Sequence, residues 1–309
     1  MEPPEDLLRS DLANGDSSMR RVISGAWAAA ITPRRADGTV DEPAFAGFLE
    51  ALIERGIRGF VVNGATGEFC LTNSEELRRL LAVAAQVTRG RAEFACCIGS
   101  AGVRGCLDNG TVAMEAGAKA LLLPMPYFFP YQQDDLDAFC RGVARDLRAP
   151  ILLYNLPSFT TPLEASTVQR LIEDCPDIVG IKDSSGSLEI LRSLTRAGIE
   201  ACRIVGNDSI LAQAIEEGVC DGVISGVAAA MPELIVACWK RQPEAARRLD
   251  EFIKQIAEFP VPWGVKLVAG FRGFAPAHLA QPMSQRRAAQ TLELKEWVQR
   301  YGKSEKALP

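Results

Sequence analysis

The sequence has few of the residues that build metal centres and histidine-dependent active sites. Among its 309 residues there is one histidine, His278, which lies near the C-terminus between Pro276 and Pro282. A single histidine cannot form a multi-histidine metal site, and nothing around it resembles a Ser-His-Asp arrangement. The nine cysteines show no CxxC spacing, which predicts reduced core residues. The sequence therefore predicts no metal ion and no histidine-based mechanism.

Long apolar runs and basic clusters are also missing. No run reaches the ~18 apolar residues that a membrane span needs, and residues 1–21 lack a signal-peptide pattern, which predicts an N-terminal arm. The net charge of −5 and the absence of a basic run argue against nucleic acid or a membrane as partners. No GxGxxG loop indicates a dinucleotide. These absences favour a cytoplasmic enzyme that acts on a small molecule.

Lys182 is the most informative residue that is present. It lies in the segment VGIKDSSG (residues 179–186), directly after the apolar run 178–181. An amine attacks a ketone only in its neutral form, which an apolar and poorly hydrated environment favours. Lys182 is therefore a candidate Schiff-base lysine. The alternative is a structural lysine that ends a strand or pairs with Asp183.

A tyrosine ends another apolar run. Tyr154 lies in the segment LLYNLP (residues 152–157), next to a proline turn. Imine formation and carbon–carbon cleavage both require proton transfers, and a positioned phenol hydroxyl can perform them. The alternative is a tyrosine that packs at the top of the core with its hydroxyl bonded to the backbone.

A glycine-rich loop follows a third apolar run. The segment NGATGE (residues 63–68) places glycines on both sides of Ala65 and Thr66. Glycine lets backbone N–H groups come close to a ligand, so the loop is a candidate carboxylate-binding site. The alternative is a turn that contains glycine for geometric reasons alone.

Short apolar runs alternate with amphipathic stretches along the chain, which predicts alternating strands and helices. Eight strands are predicted, near Ser24–Ile31, Gly59–Asn63, Glu93–Ile98, Ala120–Leu123, Ile151–Tyr154, Ile178–Lys182, Arg203–Val205 and Gly222–Ser225. Seven helices are predicted between them, at Glu42–Arg55, Ser74–Thr88, Arg104–Ala116, Asp134–Leu147, Leu163–Asp174, Ser187–Ala197 and Ser209–Glu217. Ser74 and Ser187 are predicted N-caps. Eight such units favour an α/β fold of the (β/α)8 TIM barrel type over an open sheet.

Helical periodicity continues after the eighth predicted strand, as far as Tyr301. We therefore predict three parts: an N-terminal arm at residues 1–21, a barrel at 22–230 and a C-terminal helical extension at 231–309. The catalytic groups of such barrels lie at the carboxyl ends of the strands. Thr66, Tyr154 and Lys182 all follow or end strands, so they are predicted to face one cavity.

With these motifs in this order, the chain resembles the dihydrodipicolinate synthase / N-acetylneuraminate lyase family of class I aldolases. The resemblance covers roughly residues 22–300, through the segments GATGE (64–68), YNLP (154–157), GIKDSSG (180–186) and PWGVK (262–266). It implies an imine between Lys182 and the ketone carbon of pyruvate or another 2-oxo acid, with no separate cofactor. It also implies carboxylate binding by Gly64, Ala65 and Thr66, a proton shuttle at Tyr154, and a homo-oligomer, either a tetramer or a dimer.

Three positions depart from the pattern of dihydrodipicolinate synthases. Ala65 stands where those enzymes have a second threonine, Phe128 where they have a second tyrosine, and Phe159 where an arginine binds the second substrate's carboxylate. A phenyl ring cannot replace a bidentate guanidinium, so a carboxylated partner such as aspartate semialdehyde is disfavoured. Tyr127 is a candidate for the missing hydroxyl, although Phe128 leaves that question open.

Other positions indicate a hydroxylated partner. Asp208 and Ser225 match sugar-hydroxyl contacts of N-acetylneuraminate lyases, although Ser209 replaces an expected glutamate, and Ile224 is a further predicted substrate contact. The PYFFP loop (126–130) most resembles that of 2-keto-3-deoxy-gluconate-type aldolases. The resemblance thus implies a lyase that cleaves or dehydrates a 2-keto-3-deoxy sugar acid or 4-hydroxy-2-oxoglutarate. The alternatives are a dihydrodipicolinate synthase and a degenerate barrel that only binds a 2-oxo acid.

Overall fold

A computed structural model describes residues 22–305, so the predicted arm at residues 1–21 lies outside the described residues. Eight parallel strands pair in chain order and close into a barrel, with the eighth strand beside the first. The strands are β1 (Gly25–Ala29), β2 (Gly59–Val62), β3 (Glu93–Cys97), β4 (Leu121–Pro124), β5 (Ile151–Asn155), β6 (Ile178–Asp183), β7 (Cys202–Val205) and β8 (Gly222–Ser225). The predicted (β/α)8 barrel is confirmed.

Helices surround this barrel. They are α1 (Glu42–Glu54), α2 (Ser74–Thr88), α3 (Val103–Glu115), α4 (Gln133–Leu147), α5 (Ala165–Asp174), α6 (Glu189–Arg196), α7 (Leu211–Glu217) and α8 (Pro232–Trp239). Three helices follow, α9 (Ala245–Ile256), α10 (Trp263–Phe271) and α11 (Gln285–Glu305). Helix α8 packs against β1, and the domain boundary after residue 230 stays a prediction. No helix within residues 22–305 has the length and apolar character of a membrane span.

The helix starts show how local sequence sets the element boundaries. The N-caps predicted at Ser74 and Ser187 are each wrong by one residue, because the helices have their N-caps at Asn73 and Leu188. The Asn73 side chain accepts a hydrogen bond from the Glu76 N–H at 2.9 Å. The Glu76 carboxylate in turn accepts one from the Asn73 N–H at 3.2 Å. This reciprocal pair satisfies two amides at the helix end. Ser187 accepts a hydrogen bond from the Glu189 N–H at 3.1 Å, at the start of α6.

Apolar side chains fill the barrel interior. The inner layer includes Trp27, Val61, Leu122, Leu152, Val179, Ile204 and Ile224. Two glycines make this packing possible: a Cβ at Gly59 would lie 2.1 Å from the Trp27 ring, and one at Gly180 would lie 2.1 Å from the Cys202 carbonyl oxygen. The filled interior leaves the carboxyl ends of the strands as the place for a site.

Candidate active site

Lys182 and Tyr154 lie side by side at the carboxyl end of the barrel. Tyr154 of β5 is directly opposite Lys182 of β6 in the strand pairing. Lys182 is 3% exposed, and its Nζ donates a hydrogen bond to the Tyr154 hydroxyl oxygen at 3.1 Å. The same Nζ lies 4.2 Å from the centroid of the tyrosine ring. The structure thus places a hydroxyl that can transfer protons next to a buried amine.

The end of β7 leaves little room beside the lysine. A Cβ at Gly206 would lie 2.8 Å from the Lys182 Cε and 2.2 Å from the Ser184 Oγ, so glycine is required there. Burial raises the pKa of the neighbouring Cys97 thiol to about 12, against opposing effects of the Gly99 N–H and the Lys182 charge. Cys97 therefore stays a neutral thiol at neutral pH and places no competing thiolate beside Lys182.

The loop at residues 63–68 is tied to the barrel by two hydrogen bonds. The Asn63 side-chain amide donates to the Cys97 carbonyl oxygen at 3.1 Å. The Thr32 hydroxyl donates to the Gly67 carbonyl oxygen at 2.7 Å. Asn63 has a φ of +61°, a left-handed conformation that asparagine tolerates better than most residues. The loop is therefore held in one conformation at both ends.

The middle of this loop presents polar groups to the barrel mouth. Within residues 22–305, the N–H groups of Ala65 and Thr66 donate to no backbone carbonyl. Thr66 is buried, and its hydroxyl would lie 3.5 Å from a Cβ placed on Gly226, just after β8. Two free N–H groups and a hydroxyl can together bind a carboxylate.

One cavity of about 320 Å³ joins these groups. It brings together six of the predicted site residues: Ala65, Thr66, Tyr154, Phe159, Lys182 and Asp208. Among the described residues that line it, Lys182 is the only cation and Asp208 the only acid. In the same part of the chain, no three His, Cys, Asp or Glu side chains are grouped to hold a metal ion. The described lining therefore has no basic side chain besides the amine of Lys182.

Four other predicted substrate contacts do not line this cavity: Gly64, Tyr127, Ile224 and Ser225. Ile224 packs inside the barrel, and the buried Ser225 hydroxyl accepts a hydrogen bond from the Ala228 N–H at 2.9 Å. Tyr127 lines a neighbouring apolar cavity, where its ring packs edge-on against Phe69 with the centroids 5.6 Å apart. Their contact with substrate stays a prediction.

Asp208 is the one acidic residue among the described residues that line the cavity. Its Oδ2 accepts a hydrogen bond from the Val227 N–H at 3.1 Å, while its solvent-shielded Oδ1 has no partner among the described residues. Burial raises the pKa of Asp208, and hydrogen bonds from Ser225 and Val227 and the Lys182 charge oppose that rise. A buried oxygen without a donor is uncommon, and Oδ1 could bond a ligand hydroxyl only after the groups that cover it move.

The raised pKa of Asp208 predicts a pH-dependent cost in stability. The pKa of Asp208 in the folded state exceeds the ordinary value of 3.8. The contribution of the protonated carboxyl to folding stability is therefore complete below pH 3.8, and it is lost as the pH rises through the folded-state pKa. Asp208→Asn is therefore expected to raise Tm at pH 8 and to leave it unchanged at pH 3. Paired thermal melts of both proteins test this, and an equal gain at both pH values would contradict it.

Sequence reasoning missed one wall of the cavity. The C-terminal extension and the segment after α9 supply Ile253, Ile256, Phe259, Val261 and Val265. Polar side chains that were also missed line the opposite side: Ser158, Ser184, Asn207 and Ser209. The PWGVK segment (262–266) contained a signal for this wall. The helical period of this segment predicts which of its faces is buried, but it does not predict which cavity that face lines.

Comparison with known proteins identifies the family. The sequence profile of the dihydrodipicolinate synthetase family matches residues 22–301. The chain belongs to this family. A 4-hydroxy-tetrahydrodipicolinate synthase from Nitratidesulfovibrio vulgaris is 33% identical over 212 residues, which are 68% of this chain and 72% of that protein.

Solved structures of other proteins agree with this fold. Dihydrodipicolinate synthase from Aquifex aeolicus superposes with a TM-score of 0.81 at 25% identity and covers 91% of this chain and 98% of its own. CdNal from Clostridium difficile, in complex with mannosamine, has a TM-score of 0.82 at 17% identity over 90% of this chain and 99% of its own, which shows a shared fold alone.

Membership in the dihydrodipicolinate synthetase family makes the chain an enzyme. It is a lyase of the pyruvate-dependent class that works through a Schiff base between lysine and substrate. The family predicted from the motifs is confirmed.

Proposed function

We propose that Lys182 forms an imine with a 2-oxo acid and that the enzyme cleaves or dehydrates a 2-keto-3-deoxy sugar acid. The supporting observation is the charge of the cavity, in which Lys182 is the only cation among the described lining residues. A 2-keto-3-deoxy sugar acid has one carboxylate, which the loop at residues 63–68 can bind. A substrate with a second carboxylate would place that charge where the cavity has no cation. This argument also disfavours 4-hydroxy-2-oxoglutarate, which has two carboxylates.

The proposed reaction begins at the amine. Lys182 Nζ attacks the ketone carbon, the resulting carbinolamine loses water, and the protonated imine forms. The Tyr154 hydroxyl, 3.1 Å from Nζ, is close enough to deliver and remove the protons of these steps. The imine then draws electrons from the bond between C3 and C4. As that bond breaks, the C4 hydroxyl proton passes to Tyr154, the aldehyde leaves, and C3 of the enamine is protonated to give the pyruvate imine.

The loop orients the substrate for this attack. The free N–H groups of Ala65 and Thr66 and the Thr66 hydroxyl are the proposed donors to the carboxylate next to the ketone. The loop would bind the substrate carboxylate on one side, and Tyr154 lies on the other side. The ketone carbon would then lie over the Lys182 amine. Ala65 contributes only its backbone, which is sufficient because N–H groups bind carboxylates well.

The far end of the cavity suits a polyol chain. The Phe159 ring, which is 53% exposed, can pack against the carbon skeleton of the aldehyde. Asn207, Asp208 and Ser209 line the same cavity and are the proposed partners of the substrate hydroxyls. These groups would form hydrogen bonds with the hydroxyls of the substrate. A second substrate carboxylate would find no positive charge among them.

A substrate panel tests this choice. We expect kcat/KM for cleavage of a 2-keto-3-deoxy sugar acid to exceed that for condensation of pyruvate with aspartate semialdehyde by at least ~10²-fold, because one charge-assisted pair is missing for the latter. The Phe159→Arg variant should narrow this ratio, since it adds the missing cation. Coupled detection of pyruvate and of the aldehyde measures both reactions.

The Asp208→Ala variant tests which part of the substrate Asp208 contacts. It should weaken sugar-acid cleavage far more than imine formation with pyruvate, because in the proposed binding mode Asp208 contacts only the polyol chain. A higher kcat/KM with aspartate semialdehyde, or equal loss of both steps in Asp208→Ala, would contradict the sugar-acid proposal.

Dihydrodipicolinate synthase activity is the second candidate, and the name of the Nitratidesulfovibrio vulgaris relative favours it. The absence of a second cation among the described lining residues argues against it. The third alternative, a degenerate barrel that only binds a 2-oxo acid, is set aside because membership in the family makes the chain an enzyme. A dimer or tetramer stays a prediction.

A further inference from the structure

A buried ion pair joins the carboxylate-binding loop to the C-terminal extension. The Nζ of Lys266 lies 2.6 Å from the Oε2 of Glu68, and the two residues are 198 positions apart in the sequence. Lys266 is 0% exposed and Glu68 is 6% exposed. Removing two charges from water is costly, and apolar residues of similar size often give equal or greater stability. Stability alone therefore does not account for the pair.

Glu68 lies at a position that affects the backbone conformation of the loop at residues 63–68. It is the last residue of the loop at 63–68, and its φ of +58° is a left-handed conformation that costs energy for a residue other than glycine. Its N–H donates to the Ala65 carbonyl oxygen at 3.0 Å. The direction of the Glu68 side chain is thus coupled to the backbone of Ala65, whose free N–H is a proposed carboxylate donor.

Lys266 lies on the C-terminal extension, which also lines the cavity. It lies on α10, and its neighbours Gly264 and Val265 line the active-site cavity. The other side-chain tethers of the loop, at Asn63 and Gly67, run to the barrel itself. The ion pair supplies a tether to the extension. The ion pair therefore fixes the position of the loop relative to the extension beside the cavity.

We propose that Glu68 and Lys266 form a positioning pair for 2-oxo-acid binding. The pair holds the Ala65 and Thr66 donors at the distance from Lys182 that places the ketone carbon over Nζ. Neither residue touches the reacting atoms, so both act through the loop. This inference rests on the imine at Lys182 proposed above and not on the identity of the aldehyde.

Borohydride trapping of the pyruvate imine is the test, because it needs no aldehyde. For Lys266→Met, the pyruvate concentration that gives half-maximal trapping should rise by about 10- to 100-fold, as expected when a binding group shifts by up to about 1 Å. Glu68→Gln should give a smaller rise, since its amide oxygen still accepts a hydrogen bond from Lys266. The adduct formed at saturating pyruvate should remain on Lys182 in both variants.

The double variant E68Q/K266M distinguishes positioning from stability. It leaves no lone charge buried, so it should recover most of the Tm that Lys266→Met loses while retaining the weak pyruvate binding. Recovery of both properties would overturn the proposal, as would wild-type pyruvate binding in all three variants. If the wild-type enzyme itself gives no adduct, the proposed imine fails and not merely this inference.

Asp221→Asn is the matched control. Asp221 forms a partly buried, bidentate pair with Arg203 at the amino end of β7 and β8, with distances of 3.0 Å from both Nε and Nη2. Its loss should lower Tm and leave pyruvate trapping at the wild-type concentration. Weaker trapping in this control would show that any lost ion pair reduces pyruvate binding, which would also overturn the proposal.

Discussion

Lys182→Ala is expected to abolish the borohydride-trapped pyruvate adduct and to lower turnover by about 10⁴–10⁶-fold, the range seen when an enzyme loses its covalent nucleophile. The physical reason is that the imine requires an amine in the cavity, and Lys182 is the only cationic side chain among the described residues that line it. Reduction converts the imine to a stable secondary amine. Peptide mass spectrometry should therefore find a reduced pyruvyl group on the wild-type peptide that contains Lys182.

Two other lysines provide the comparison. Lys119 is partly exposed and pairs with Glu93, so Lys119→Ala should leave the adduct and turnover unchanged. Lys266 is fully buried and ion-paired, which makes its amine a poor nucleophile. An adduct on Lys266, or none on Lys182 at saturating pyruvate, would contradict the assignment.

The fold could be predicted from the sequence because its strands are short and mostly apolar. Strands of a parallel barrel are buried on both faces, so runs such as Leu121–Pro124 and Ile151–Asn155 read as uninterrupted hydrophobic segments. The exact helix starts were harder to predict. The helix expected from Ser209 begins at Leu211, after a turn in which the Asn207 side chain accepts the Ser209 N–H at 3.1 Å. That choice depends on one local hydrogen bond, which competes with the helix.

Part of the cavity could be predicted for a topological reason. Residues at the carboxyl ends of neighbouring strands must share one rim, so Tyr154 and Lys182 meet once the barrel closes. Contacts that depend on distant packing could not be predicted. The Glu68–Lys266 pair joins segments 198 residues apart, and no local pattern encodes it. The direction of Tyr127 likewise depends on its neighbour Phe128, whose φ of +82° is rare for an aromatic residue.

Tyr154→Phe is expected to lower kcat by ~10²–10⁴-fold, the usual contribution of general acid–base catalysis. The substitution removes one hydroxyl and keeps the ring that lies 4.2 Å from Lys182 Nζ, so Tm should change little. The Tyr154 hydroxyl lies 3.1 Å from the amine, and its removal leaves a ring that cannot transfer protons during carbinolamine dehydration and cleavage. Steady-state kinetics and thermal melts of the same preparations measure both quantities.

Tyr127→Phe is the comparison that makes this result specific, because it deletes the same atom from a tyrosine that lines the neighbouring cavity. Burial raises the pKa of Tyr127, which makes its hydroxyl a weaker acid than an exposed phenol. We therefore expect Tyr127→Phe to retain turnover within about threefold of wild type, well below the loss expected for a proton relay. A loss in Tyr127→Phe as large as in Tyr154→Phe would mean that Tyr127 supplies the hydroxyl missing at Phe128. Near-normal kcat with only a raised KM in Tyr154→Phe would make Tyr154 a binding residue, and the proton relay would then have to come from another group.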